Sequence, residues 1–585
     1  MTAGESEKAK NGKRPPNDRS NIDIGRKLIE DWEKAQPENY FAADVGFQRS
    51  LEYHWGSDEY RKHAARLNEF GAQTAKIVDP LVREANLDGN LPRLERFNSR
   101  GERIEEVIFH PSHHEAGRII YGSEMMALYG RPGNNMLSLA LFYLSSQNGE
   151  AGHNCPLACT SGLIKALAAL GTSEQKKNYL PRLLDPDYQS HFHGAQFLTE
   201  IQGGSDVGAN DTVARLIDPE MGAWFLSGEK WFCSNVSADL ALVTARVPGQ
   251  GKGTAGLGLF LMPRTLDDGH LNNVYINILK DKLGTRSMAT AELELKDAVA
   301  YQLGPIKDGF KNVMVHVINT SRIYNAVGVS GSARRAYLTA RSYAEHRSAF
   351  GRPLIHFPIV QDMLANMRAD AAAMLSGTLH IIKLIDELEV GEGNQQAEAF
   401  LRIAINLNKY RSSVLAHKVI VRAIELLGGN GAIETFSVLP RLLRDIIVFE
   451  NWEGTHNVLL AQVQRDIRRY QIHEPLFEAI DGLVANVEDE KHFRESKELM
   501  KQMEGELEEI LKMDELTAAI YFRPYMDRLT DLYYSACLSS EGSWEATVKK
   551  DRTKMRLAQL FFNRRAANKE PKDLAYYDDL VSRLC

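Results

Sequence analysis

Phe197-Leu198-Thr199-Glu200-Ile201-Gln202-Gly203-Gly204-Ser205-Asp206-Val207-Gly208-Ala209 packs glycines, hydroxyls and two carboxylates into one short stretch. Taken alone, Gly-Gly-Ser-Asp is a turn. It is equally a loop in which backbone can approach a planar or phosphorylated ligand. The flanks decide what the stretch belongs to. Downstream, Trp224-Phe225-Leu226, Leu240 to Val247, Leu257 to Met262 and Leu293-Glu294-Leu295 are short, partly alternating apolar runs bounded by Gly, Pro, Asn and Asp. Residues 191–305 therefore read as a strand-rich central domain. Upstream, 23–190 keeps a helical apolar spacing, broken near Pro111, Arg131-Pro132-Gly133 and Cys155-Pro156.

Beyond the strands the helical period returns over 306–470, in long segments such as Ser330 to Arg347, Ile359 to Leu388 and Leu401 to Leu427. A further helical region, 471–585, contains the charge-dense segment Val487 to Met513. Residues 1–22 read as a solvated, disordered tail. The fold class is mainly α with a central β-domain. With 585 residues, 44% apolar and 25% charged, the chain can bury several cores, which excludes a small binding module and a disordered protein. A net charge of -7 gives no global reason to bind nucleic acid. Five scattered cysteines do not form a disulfide scaffold, so a reduced, cytoplasmic setting is expected.

More motifs follow in order: Lys230-Trp231-Phe232-Cys233-Ser234-Asn235, Lys282-Leu283-Gly284-Thr285-Arg286-Ser287, Arg347-Ser348-Ala349-Phe350-Gly351, Gly428-Gly429-Asn430-Gly431 and Trp452-Glu453-Gly454-Thr455. Together they resemble the acyl-CoA dehydrogenase family from about Glu106 to Ile467. Glu106-Val107-Ile108-Phe109-His110-Pro111, Gly152-His153-Asn154-Cys155-Pro156 and Lys280-Asp281-Lys282 are similar to the branch containing the bacterial alkylation-response protein AidB. The resemblance implies an N-terminal helical domain, a middle β-barrel or sheet domain and a C-terminal four-helix bundle, here with an additional helical domain.

The resemblance also implies FAD as cofactor. Leu198, Thr199, Gly204 and Ser205 would hold the flavin ring and pyrophosphate, with Phe232 packed on the isoalloxazine and Ser234 at its N5 edge. Arg347, Phe350, Gly428 and Gly429 would contact the FAD of a neighbouring protomer, and Thr455 and Asn457 complete the cofactor set. FAD binding then needs a homodimer, alone or within a homotetramer. Glu425 stands where most of the family has Gln near the neighbour's pyrophosphate, a contact that is unfavourable unless the carboxylate is protonated or paired. Glu453 is the implied base, with Ser205, Arg322 and Gly454 beside the substrate. Ser321 occupies the place where some members carry the base instead. The implied reaction is FAD-dependent α,β-dehydrogenation of a saturated acyl-CoA to trans-2-enoyl-CoA. Glu453 would take the α-proton and flavin N5 the β-hydride, and electrons would pass to an electron-transfer flavoprotein. The alternatives are an AidB-like DNA-associated flavoprotein with weak dehydrogenase activity, or a flavin oxidase of a non-CoA substrate.

The remaining candidates have plainer readings. His110, His113, His114 and Glu115 lack a diagnostic ligand spacing, so no metal is expected. Cys155 and Cys159 read as buried small apolar residues. Val487 to Met513 reads as a solvated face packed on one side, with a partner coiled coil as the other option. The basic segment Lys549 to Arg565 reads as a bundle helix with an Arg-rich rim; a peripheral membrane contact or nucleic-acid phosphates are its other options, and nucleic acid is the less expected partner.

Overall fold

The alternating runs of the central stretch close into a single sheet. In the computed structural model, which describes residues 20–149, 151–570 and 574–585, Ala223–Ser234 and Thr290–Gln302 pair antiparallel, with Trp224 opposite Ala300. Val213–Asp218 pairs with the first of these, and Leu257–Pro263 and Val274–Leu279 pair with the second. Leu240–Arg246 completes the circuit, antiparallel to Leu257–Pro263 and parallel at Arg246 to Val213. Gly194–Phe197 adds in parallel to Leu240–Arg246. The loop quoted first leaves this added strand and re-enters the sheet at Val213. Inside the ring, Cys233, Phe260, Ala291 and Leu293 are fully buried.

Two features differ from the sequence reading. The stretch expected as tail ends earlier, because Ser20–Lys34 is already helix; residues 1–19 lie outside the described residues. Within the stretch read as helical, Arg93–Phe97 and Arg103–Ile108 form a hairpin. Leu94, Phe97, Ile104 and Val107 recur at intervals of three, seven and three, which imitates a helix. The tip decides otherwise. Asn98 Oδ1 accepts the N–H groups of Arg100 and Glu102 at 2.9 and 3.0 Å, and Gly101 turns at φ +77°. The hairpin docks on the sheet, where Glu105 Oε2 accepts the Ile276 N–H at 3.0 Å.

The C-terminal bundle is built from Asn319–His346, Pro358–Glu389, Gln395–Leu427 and His456–Tyr470. The appended helix Glu515–Val548 packs on Pro358–Glu389 through a close approach at Gly377. A Cβ there would lie 2.3 Å from Tyr534 Cδ1. The ring is held at its tip, since Tyr534 OH donates to Asn408 Oδ1 at 2.7 Å. Gly377→Ala therefore forces an overpacked contact costing about 1–3 kcal/mol, at the upper end here because the ring is tethered. Against this stands ~1 kcal/mol of better helix propensity. The expected net loss of about 2 kcal/mol would be read as a lower urea midpoint at unchanged slope.

Glu490–Lys512 behaves as its pattern predicts: Leu499, Met500, Met503, Leu507 and Ile510 form one buried stripe. The basic segment also turns inward. Met555, Leu557, Leu560 and Phe561 of Thr553–Phe561 are buried. Lys549 meets Glu52 at 2.7 Å, Lys554 meets Glu541 at 2.7 Å and Arg565 meets Asp370 at 2.5 Å. These partners favour the bundle reading of the segment over a membrane or nucleic-acid surface. Lys554 Nζ also donates to Ser50 Oγ at 2.8 Å, and Arg49 reaches Asp551 at 2.7 Å, so the appended domain is clasped to the helix Val45–Trp55. Burial would raise the Glu541 carboxyl, but Lys554 and His54 hold it down to about 2. Among the described residues no helix is long and apolar enough to cross a membrane.

Histidines gather where the N-terminal helices meet the sheet. His113 stacks on His153 at 4.0 Å between ring centroids, and Tyr121 OH lies 3.0 Å from His193 Nδ1. His110 caps the helix Pro111–Gly122 through Ser112, while Glu115 faces solvent. Burial pushes His153 and His191 down to about 4, and pushes His113 and His193 well down from the ordinary imidazole range too. Since these pKa values fall on folding, the unfolded chain binds more protons below about 6.5. Stability is complete above that value and is expected to fall as pH drops towards 4. Calorimetry across this window checks it; a constant melting temperature would contradict neutral burial of these rings.

Candidate active site

Glu453 follows the helix Leu439–Asn451, whose stripe Leu439, Leu442 and Ile446 is buried. The helix ends as Trp452 N–H reaches Val448 O at 2.9 Å, after which the chain turns left-handed at Glu453, φ +60°. Gly454 continues at φ +106°, and Thr455 occupies the cap position of His456–Tyr470. A non-glycine residue in this conformation is strained and must be held by its surroundings. Here Arg322 Nε donates to Glu453 O at 3.1 Å, and Lys409 Nζ donates to Gly454 O at 2.9 Å. Arg322 also bonds Asn406 and, at 3.4 Å, Gln462.

Burial pushes the Glu453 carboxyl up to about 7, while Arg322 and Lys409 pull the other way. It lines a wall of Cys155, Cys159, Met288 and Trp452. Hydrogen bonding to Cys155, then burial, pushes the Cys159 thiol up, so Cys159 is not poised as a nucleophile; both cysteines are buried. A carboxyl poised near neutrality against an apolar wall is equipped to remove a weakly acidic proton.

The Leu198–Ser205 loop is fixed from below. Glu200 and Lys230, both buried, pair at 2.7 Å; Glu200 also accepts the Asp211 N–H at 2.6 Å, and Lys230 donates to Thr244 O at 2.9 Å. Leu198 and Thr199 are half-buried, and Thr199 O accepts the Trp231 N–H at 2.9 Å, which sets the loop beside Phe232. Gly203 has no room for a side chain, since a Cβ would lie 2.5 Å from Asp206 O. Gly204 and Ser205 are exposed, and Phe232 presents a ring that is 55% exposed.

Ser234 Oγ lies 3.3 Å from Thr290 Oγ1, which accepts from Lys282 Nζ at 2.8 Å. Burial pushes Lys282 down to about 8. The same motif joins sheet to bundle. Gly284 sits where a Cβ would be 2.1 Å from Arg444 O, and Thr285 N–H donates to Asp445 Oδ1 at 2.6 Å.

Within one chain, Glu453, Gly454 and Arg322 converge. Among the described residues no hydrogen bond links Arg347, Phe350, Gly428 or Gly429 to them or to the Leu198–Ser205 loop. Phe350 is 97% exposed at φ +51°, and Gly428 and Gly429 are exposed at the end of Gln395–Leu427. Glu425 pairs with Arg422 at 2.9 Å, the condition under which a carboxylate tolerates a nearby phosphate. Asn457 Oδ1 accepts from Arg523 of the appended domain at 2.5 Å.

Comparison with known proteins decides the relationship. Residues 307–468 match the acyl-CoA dehydrogenase C-terminal domain, 195–298 its middle domain and 32–190 the adaptive response protein AidB N-terminal domain. Acyl-CoA dehydrogenase family member 11 of Caenorhabditis elegans is 32% identical over 81% of this chain and 78% of its own length. The chain belongs to the acyl-CoA dehydrogenase family. AidB of Escherichia coli is 30% identical over 75% of this chain and 80% of its own length. The solved structure of C. elegans ACDH-11 in complex with C11-CoA superposes with a TM-score of 0.83 at 26% identity, covering 92% of this chain and 93% of that one.

Members of this family are FAD-dependent oxidoreductases, and the site fits FAD. Gly203 leaves no room for a side chain, Gly204 and Ser205 are exposed, and the Phe232 ring is uncovered with Ser234 two residues along the same strand, residue types that suit a planar, phosphorylated group. Two cations next to the site escaped the sequence reading. Lys282 opens the Lys282–Ser287 motif, whose residue pattern assigns it no role. Lys409 gave no signal, because a single lysine in a helical pattern reads as surface.

Proposed function

We propose that this chain dehydrogenates the Cα–Cβ bond of a saturated acyl-CoA, with Glu453 as the base. The observation that carries the reading is the left-handed Glu453 turn, with its carboxyl held near neutrality against the Cys155–Trp452 wall. Glu453 takes the proton α to the thioester, and its backbone N–H polarises the thioester oxygen as charge develops there, an effect worth a few kcal/mol. Arg322 keeps that N–H and carboxyl in place through the Glu453 carbonyl. FAD, held by Leu198, Thr199, Gly204, Ser205, Phe232 and Ser234, supplies the acceptor for the β-hydride. The product is the trans-2-enoyl-CoA.

A cavity of about 870 Å³ opens beside Tyr324, floored by Leu139, Ile323, Leu401 and Ile405, with Lys165 and Arg402 at its margin. Neither Glu453 nor the Leu198–Ser205 loop lines it, so its volume does not set the length of the acyl group. The exposed Phe350, Gly428 and Gly429 support a homodimer in which each copy completes the other's cofactor site, and an electron-transfer flavoprotein is the proposed acceptor of the electrons.

The test is anaerobic stopped-flow absorbance with saturated acyl-CoAs from short to long. Flavin bleaching with a long-wavelength charge-transfer band is the expected result, faster as pH rises through about 7 and Glu453 ionises. No bleaching by any of them would overturn the reading. Rapid reoxidation by air with peroxide formed would mark an oxidase.

A further inference from the structure

Lys409 lies midway along Gln395–Leu427 and is 0% exposed. Its Nζ donates to two carbonyl oxygens, Glu450 O and Gly454 O, each at 2.9 Å. These bracket Glu453 on both sides. Glu450 belongs to the last turn of Leu439–Asn451, where carbonyls lack helical partners and the helix dipole favours a cation. From another helix, Arg322 takes Glu453 O at 3.1 Å. The carbonyls of Glu450, Glu453 and Gly454 are thus each held by a buried cation, which is what lets the strained turn persist.

We propose that Lys409 is a positioning residue for Glu453: its ammonium clamps the turn and favours the carboxylate form of the base. The inference rests on the reading of Glu453 as the base. The charged and titratable groups around Lys409 are Arg322, Glu453, Glu450 and His456. Glu450 is engaged by His417 at 3.0 Å, and of the two carboxylates Glu453 pulls the more strongly on Lys409. Burial, then Arg322, pushes Lys409 down to about 7, and Glu453 and Glu450 pull it back. Burial pushes His456 down to about 4, so it stays neutral over the same range. Each of Lys409 and Glu453 therefore favours the charged form of the other. Sequence spacing alone carries no trace of this pairing, since Lys409 lies within Gln395–Leu427 and Glu453 in the turn that follows Leu439–Asn451.

The test uses the FAD-loaded full chain and the acyl-CoA that bleaches it fastest, with bleaching rates followed from about pH 5.5 to 9. In Lys409→Met and Lys409→Gln the midpoint of the rising limb is expected to move up by about one unit or more. The rate at pH 7 should then fall about fivefold or more. The half-saturating acyl-CoA concentration should change little. Lys409→Arg, which stays charged over the whole range, is expected to keep the midpoint at or below that of the wild type. Lys409→Gln keeps hydrogen-bond donors in a similar volume, so it carries the test if Lys409→Met does not fold.

Midpoints in the Met and Gln variants that coincide with the wild type, even with a lower melting temperature, would reduce Lys409 to a structural residue and overturn the proposal. Wild-type protein that is not bleached, or a Glu453→Gln variant that bleaches normally, would instead overturn the base reading and this proposal together.

Discussion

Glu453→Gln is expected to purify yellow and to stay yellow when mixed anaerobically with an acyl-CoA that bleaches the wild type. The substitution keeps the shape of the side chain and the left-handed turn while removing the group that accepts a proton. Loss of a positioned general base slows the step by about 10²–10⁴-fold, or about 3–5 kcal/mol of activation free energy. The neighbouring thiols do not substitute. Cys159 is pushed up by Cys155 and by burial, and so is protonated at working pH. Ser321, at the family's other base position, is buried and accepts from Gln196 at 3.3 Å. The readout is the single-turnover decay of flavin absorbance with flavin content measured alongside. A variant that bleaches at the wild-type rate would remove Glu453 from the chemistry.

The second large effect is expected at Lys230. Removing its ammonium in Lys230→Met leaves Glu200 buried without its cation and the Thr244 carbonyl without its donor. Breaking one side of a buried pair costs about 3–5 kcal/mol. Without Lys230, burial would raise the Glu200 carboxyl above its unfolded value. That group would then stabilise the fold below about 4.5 and cost stability as pH rises past its folded value. The deficit relative to the wild type should accordingly be widest at neutral pH and narrow towards pH 5. Because Glu200 anchors the Leu198–Ser205 loop, the variant is also expected to lose flavin during purification. The double variant Lys230→Met, Glu200→Gln should recover much of the stability, since neutralising both partners leaves no uncompensated charge. Urea melts at pH 5 and pH 7 measure the first effect, and the ratio of flavin to protein absorbance the second.

The parts of the chain legible in its sequence are those whose physics is local. Alternation bounded by turn residues announced the central strands, and a long three-to-four spacing announced the bundle helices. Glu453 and the Leu198–Ser205 loop were visible because glycines and hydroxyls in a fixed order carry their meaning without knowledge of distant residues. The hairpin Arg93–Ile108 was hidden because its apolar spacing imitates a helix, and what makes it a hairpin is an Asn98 turn and a docking surface supplied by Asn272, Val274 and Ile276. Lys409 was hidden for a related reason. Its burial is decided by the Glu450–Gly454 turn about forty residues away, and no pattern near position 409 records it. The basic segment Lys549 to Arg565 suggested a charged surface because its partners Glu52, Asp370 and Glu541 are far off in the chain or on another helix.

The clasp between Val45–Trp55 and the appended domain has a consequence in time as well as in space. Ser50 and Glu52 are buried against Glu541, Lys549 and Lys554, residues made about 500 positions later. At roughly 5–20 residues per second, the ribosome takes on the order of 25–100 s to deliver those partners. Until then Phe47 already packs on Phe41 and Tyr143, but the polar face of Ser50 and Glu52 waits for the residues that finally pair with it. The nascent chain is therefore expected to stay open to protease near residue 50 until synthesis passes residue 554, and to become resistant there in one late step. Arrested chains of increasing length, probed by limited proteolysis, would show that step as a sharp change in the cleavage pattern.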